Sequence, residues 1–332
     1  MYASQGKSAG LGLALASAFA FGGSGVAAKP LIEAGLAPLH VVWLRVAGAA
    51  LVMLPVAWRH RALVRHRPAL LAGFGLFAVA GVQACYFAAI SRIPVGVALL
   101  LEYLGPALVL LWVRFVQRRP VTRAAAVGVV LAVGGLACVV EAWAGLSFDP
   151  VGVLLALGAA CCQVSYFVLS DHGSDVRGGR KAPDPLGVIA FGLLVGAVVL
   201  TVVARPWTMD FSVLGGDAAL GGSEVAASLL LSWVVLIATV LAYTTGVTAV
   251  RRLSPQVAGV VACLEAVVAT VLAWILLAEH LSAPQILGGA LVLAGALIAQ
   301  SSTPRAASGP VASGGTDALA RTSPLSEDRS TG

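Results

Sequence analysis

The sequence predicts an all-α membrane protein of ten transmembrane helices, arranged as two inverted five-helix repeats with both termini cytoplasmic. Three observations carry that expectation. The 332 residues are 59% hydrophobic and 11% charged, with a mean hydropathy of +0.95. Soluble domains hold about 25% charged residues, so this chain lacks the polar surface that a globule of its size needs. Ten apolar stretches of roughly membrane length follow one another, and the second half echoes the first at a shift of 160 positions.

Taken in order, the stretches fall at roughly 11–28, 39–57, 70–90, 94–113, 124–140, 151–169, 185–203, 226–250, 255–277 and 284–299. Several open on a proline (Pro38, Pro94, Pro185, Pro255, Pro284), which is well tolerated in a first helical turn where the N–H has no intrahelical partner. Lys7 followed by an apolar run superficially resembles a signal peptide. The run Leu11 to Ala28 outlasts a signal core and no cleavage signal follows, so it reads as the first span. The divisions are then a cytoplasmic N-terminus (1–10), a first repeat (11–141), a second repeat (151–300) and a tail (301–332). The tail is rich in Ser, Pro, Gly, Thr and charge, a composition expected to be disordered. The loop 171–184 reads as a flexible cytoplasmic connector, and the loop 205–224 as a solvated extracytoplasmic one rather than a folded unit.

Loop charges set the orientation. With the N-terminus inside, 17 of the 21 basic residues lie in cytoplasmic segments; Lys29, Arg92 and Arg205 lie outside, and Arg45 is within a span. Such a bias fixes topology. It also explains the net charge of +6 without a nucleic-acid partner, because the basic residues are dispersed over short loops. All five cysteines lie in apolar segments and the histidines are scattered, so neither a metal site nor a cofactor is expected. No Gly-x-Ser-x-Gly, His-Glu-x-x-His or P-loop is present, and every Asp lies in a loop or the tail, which argues against an enzyme and against ATP as a driver.

The repeat aligns Arg92 with Arg252, Val97-Ala98 with Val257-Ala258, Leu104 with Leu264, Gly128 with Gly288, Leu131 with Leu291 and Gly135 with Gly295, without a gap. Five spans per half is an odd number, so the halves have opposite orientation. Arg118 and Arg119 become Ala278 and Glu279, the loss of basic charge that a change of side requires. Inverted repeats meeting at the midplane suit alternating access in a transporter.

Two stretches now carry a family resemblance. Leu264-Glu265-Ala266, followed by Glu279 in a short loop and by Gly288-Gly289, resembles the fourth and fifth helices of a repeat in the EamA-type branch of the drug/metabolite transporter superfamily. Ala266 stands where that pattern has proline. Ala98-Leu-Leu-Leu-Glu102-Tyr-Leu-Gly-Pro106 is similar to the threonine/homoserine exporter branch. The resemblance spans roughly residues 11–300 and implies an inner-membrane exporter of amino acids or similar metabolites, driven by the proton gradient.

The candidate site residues are polar groups within apolar helices. Glu102 is a mid-membrane carboxylate, costly unless it faces a cavity or a partner, and suited to carrying a coupling proton; its bland reading is a protonated acid bonded to a neighbouring helix. Glu265 is a second lone acid, more architectural by the family pattern. Arg45 either receives a substrate carboxylate or pairs permanently with a buried Glu. Gln83 with Tyr86, Gln163 with Tyr166, and Tyr243 with Thr244 and Thr245 either line the cavity or bond helices together. Lys29 and Glu33 read as surface groups, the tryptophans as packing or interface anchors, and Gly192-x-x-x-Gly196 as a close helix contact.

The function expected is secondary export of a threonine/homoserine-like metabolite by proton antiport. The partners are a small-molecule substrate, protons and the lipid bilayer, with a homodimer compatible. Efflux of lipophilic or cationic drugs is the rival within transport, and a membrane-embedded enzyme or scaffold the rival outside it.

Overall fold

The structure, a computed structural model, describes residues 2–118, 120–141, 148–173, 183–252 and 255–302, with side chains over 10–118, 120–141, 148–165, 183–249 and 263–299. The tail from 303 on, most of the connector 171–184 and the Tyr166 side chain lie outside these. Ten apolar helices run through it: α1 (Tyr2–Glu33), α2 (Pro38–Val52), α3 (Pro68–Ile90), α4 (Val95–Phe115), α5 (Arg123–Val139), α6 (Pro150–Gly173), α7 (Pro185–Ala204), α8 (Ala227–Ala249), α9 (Pro255–Leu277) and α10 (Ala283–Ser302). Five of them (α1, α3, α4, α7 and α8) are long and apolar enough to cross a membrane over the residues whose side chains are described; over the same residues the other five are apolar for 10–17 residues.

Local chemistry sets the helix starts. Proline opens α2, α6, α7 and α9, while Thr122 and Asp184 cap α5 and α7 by accepting from the N–H groups of Ala125 and Leu186. Glycines set the approach of neighbouring helices. A Cβ on Gly135 would stand 2.6 Å from the Gly288 carbonyl oxygen, and one on Gly288 would stand 2.6 Å from that of Gly135. Gly128 and Gly295 face each other in the same reciprocal way, so α5 and α10 cross antiparallel with backbone on backbone. Gly192 and Gly196 of α7 take Phe74 and Val79 of α3, the close contact expected of that motif.

Three departures from regular geometry position the interior. Wide π turns, which open the helix by one residue, occupy Phe74–Gly81 in α3 and Trp233–Leu241 in α8, places that overlap when shifted by 160. Left-handed backbone recurs at the same shift, at Arg118 (φ 54°) and Ala278 (φ 53°). The third departure is not repeated: α4 breaks between Val95–Glu102 and Gly105–Phe115. Pro106 has no N–H to offer the carbonyl four residues back, which is that of Glu102, and its ring crowds that carbonyl. Its repeat mate is Ala266, and α9 runs unbroken.

Two expectations are corrected. The loop 205–224 is folded: two short 3-10 turns lead into a hairpin of β1 (Asp217–Leu220) and β2 (Ser223–Ala226). Gly221 and Gly222 supply the two positive φ angles that a two-residue hairpin turn needs, and the Gly221 N–H bonds the Leu276 carbonyl of α9. Lys29 is not a solvated surface group. Its Nζ pairs with Glu279 Oε1 at 2.5 Å, with side chains only 19% and 10% exposed. Glu279 Oε2 also accepts the N–H of Val95 at 2.8 Å, capping α4. On the segments flanking α5 and α10, Ser282 bonds Glu141; before α6, Arg92 bonds Asp149 at 2.8 Å and holds that carboxyl below its ordinary range.

Candidate functional site

Arg45 is the centre of the polar interior. It is 2% exposed in the middle of α2, where an unneutralised guanidinium is expensive. Three helices, α1, α3 and α8, meet its hydrogens. Nε donates to Thr239 Oγ1 (2.8 Å), Nη1 to Ser24 Oγ (2.6 Å) and to Gln83 Oε1 (2.9 Å), and Nη2 to the Ala238 carbonyl (3.1 Å). Phe87 lies under the guanidinium at 5.3 Å from its ring centre. Four of the five N–H donors are therefore satisfied, all by neutral acceptors.

The π turn of α8 makes this possible. Thr239 donates its hydroxyl hydrogen to the carbonyl of Val234, five residues back, which leaves its oxygen free to accept from Arg45. Among the described residues no carboxylate stands within ion-pair distance of Arg45; the ion pairs there are Lys29–Glu279, His60–Asp184 and Arg92–Asp149. Of the two readings of Arg45, permanent pairing with a buried Glu is thus not what the structure contains.

The other candidates sort by contact. Gln83 and Tyr243, repeat mates at a shift of 160, meet: Gln83 reaches the Tyr243 hydroxyl as well as Arg45, and Phe21 packs edge-on against Tyr243 at 4.9 Å. Tyr86 is buried with its hydroxyl where a side chain on Gly25 would otherwise sit. Glu102 ends the first segment of α4, half-buried, and Glu265 on α9 accepts from the Tyr103 hydroxyl at 3.4 Å. Glu102, Glu265, Tyr86 and Tyr243 all lie within electrostatic range of Arg45. Gln163 of α6 places its Oε1 against Gly105, at the break in α4, so a side chain there would collide with it. The seven described candidates therefore converge on one interior region.

Other groups are elsewhere or otherwise engaged. Thr244 and Thr245 spend their hydroxyls on carbonyls of their own helix, and Trp43 donates to Thr201 at 2.8 Å. Trp112 and Trp274 are exposed, and Trp233 stands against Gly23 of α1. Ser24, Thr239, Tyr103 and Phe87 belong to the site and were not singled out in the sequence. Only Tyr103, next to Glu102, carried a visible signal. A separate cavity of about 500 Å³ lies between α1, α8, α9 and the hairpin, lined by apolar groups including Phe19, Leu220, Val225, Trp233 and Leu276.

A buried cation faces acids and phenols across helices of both halves, an arrangement that suits a multi-pass membrane transporter. The chain belongs to the EamA-like transporter family, which it matches over residues 8–141 and 150–300. It is 30% identical over 251 residues to the threonine/homoserine exporter RhtA of Salmonella typhimurium strain SL1344, covering 74% of this chain and 76% of that one. Its identity to RhtA of Escherichia coli strain K12 is 30% over 257 residues, covering 76% and 78%. A solved crystal structure shares the fold with a TM-score of 0.55 at 20% identity, across 89% of this chain and 96% of that one.

Proposed function

We propose that this protein is a secondary exporter of a small amino acid or related metabolite, threonine- or homoserine-like, working by proton antiport and alternating access. Its ten helices are ten spans in two inverted five-helix halves (11–141 and 151–300), with both termini cytoplasmic. The observation that carries the reading is Arg45: a buried guanidinium held in place by neutral groups, with one N–H donor uncommitted and no carboxylate of its own. A substrate carboxylate supplies the missing charge. Glu102, at the break of α4, is the coupling acid, and Glu265, held by Tyr103, is the architectural one. The names of the RhtA relatives support the substrate class. All these groups come from one chain, so a homodimer would hold two complete sites.

Counterflow in proteoliposomes tests the reading. Preloaded threonine or homoserine should accelerate uptake of the labelled compound, and Arg45→Gln should abolish the effect. Glu102→Gln should keep counterflow yet lose uphill export driven by a pH gradient; intact uphill export in that variant overturns its role. The large apolar cavity favours a second reading, efflux of lipophilic cations. Counterflow of a cationic dye without counterflow of either amino acid would establish that alternative.

A further inference from the structure

Two thiols that the transport reading leaves unused meet where α3 crosses α6. Gly81 and Cys85 stand one helical turn apart on α3, and Gly158 and Cys162 one turn apart on α6. The two pairs interlock. A Cβ on Gly81 would lie 2.9 Å from Cys162 Sγ, and one on Gly158 would lie 3.5 Å from Cys85 Sγ, so each sulfur sits over the other helix's glycine. The absent side chains let the helices close until the thiols of Cys85 and Cys162 hydrogen-bond one another. Both are free and half-buried, and Cys85 is within electrostatic range of Glu102. Cys161, the sequence neighbour of Cys162, is exposed on a different side of α6.

We propose that Cys85 and Cys162 form a dithiol site for soft, thiophilic ligands, and that a ligand bridging them staples α3 to α6. Two sulfurs on separate helices, already in contact, can both bond one soft atom; a single thiol gives only a labile adduct. For a monosubstituted trivalent arsenical the step is R–As=O + 2 R′SH → R–As(SR′)₂ + H₂O. Two As–S bonds form, the two thiol protons leave with the oxygen as water, and no electron is transferred. The site joins a helix of the first half to one of the second and borders Glu102, so bridging should arrest the relative movement of the halves. Only this last consequence rests on the transporter reading.

The probe is phenylarsine oxide on the purified full-length chain. Thiol titration after denaturation should find three reactive thiols where the untreated chain gives five, and the intact mass should rise by one phenylarsenic group. Cys85→Ser and Cys162→Ser should each abolish the protection, restored neither by excess reagent nor by longer exposure, while Cys161→Ser should leave it intact. Cys85→Ala repeats the test should the serine variant elute as aggregate in gel filtration. Loss of protection in Cys161→Ser, or full protection in Cys85→Ser, overturns the assignment. In proteoliposomes the arsenical should suppress counterflow at least tenfold, reversibly by a dithiol and poorly by a monothiol. Two protected thiols with unchanged counterflow overturn the staple but leave the dithiol site standing. Absent counterflow in the untreated protein instead refutes the transport reading and not the site.

Discussion

Arg45 shows how a residue that is costly in a bilayer becomes affordable. Its neighbours are not opposite charges but one hydroxyl each from α1 and α8, one amide from α3 and one backbone carbonyl. Removing a single acceptor leaves a buried donor without a partner, which costs about 1–3 kcal/mol and more for a charged group. Thr239→Val keeps the side-chain shape and deletes both the acceptor for Nε and the bond to Val234. It should therefore lower the detergent melting temperature by several degrees, whereas Thr244→Val, which removes only hydroxyl bonds within its own helix, should not. A thermal-shift comparison of the two checks this. The sequence made Arg45, Gln83 and Tyr243 visible because each is a large polar group among apolar ones. Ser24 and Thr239 stayed hidden because lone hydroxyls in apolar helices usually bond their own backbone, and nothing in sequence marks the π turn that frees Thr239.

The element that differs most from its repeat mate is α4. Pro106→Ala supplies the N–H that the Glu102 carbonyl lacks and removes the ring, so α4 should close into one helix like α9. The variant should fold at least as well as the parent and lose most of its transport; an unchanged counterflow rate would remove the break from the mechanism. At the other end of the same helix, Glu279 binds Lys29 with one oxygen and the Val95 N–H with the other. Glu279→Gln weakens the ion pair and the cap together. A cysteine placed at Val95, which is fully buried, should then react faster with a membrane-impermeant maleimide added from outside than it does with Glu279 present. Most helix positions were legible from apolar length to within a few residues, but α1 begins at Tyr2, nine residues before the apolar run at 11, and the stretch 39–57 is interrupted after Val52. The hairpin at 217–226 was not legible, because glycines and acids in a loop read as solvent until its own Leu220 and Val225 are seen packed against the core.

At the scale of the whole molecule, the shift of 160 positions reappears as geometry: two π turns, two left-handed residues, and the glycines of α5 against those of α10. Gly128, Gly135, Gly288 and Gly295 are repeat mates that touch across an antiparallel crossing, the arrangement that a two-fold relation between the halves produces. Gly135→Val would drive a branched side chain into the backbone of Gly288 and Val292. Over-packing costs about 1–3 kcal/mol, and here the neighbours are backbone, which cannot rotate away. The variant should yield less monodisperse protein, and Gly134→Val, where a Cβ meets nothing within 4 Å, should be tolerated. The pattern of repeats was readable in the sequence; which contacts the repeat brings face to face was not, since alignment pairs Gly128 with Gly288 while space pairs it with Gly295.

The break at Glu102 separates the two halves in kind. One half carries a joint and its counterpart a strut. Were the halves to exchange shapes in the alternating-access cycle proposed above, the jointed helix would yield by bending locally, while the unbroken one would tilt as a rod. In the proposed cycle, a joint in one half and a strut in the other would make the two strokes mechanically unequal.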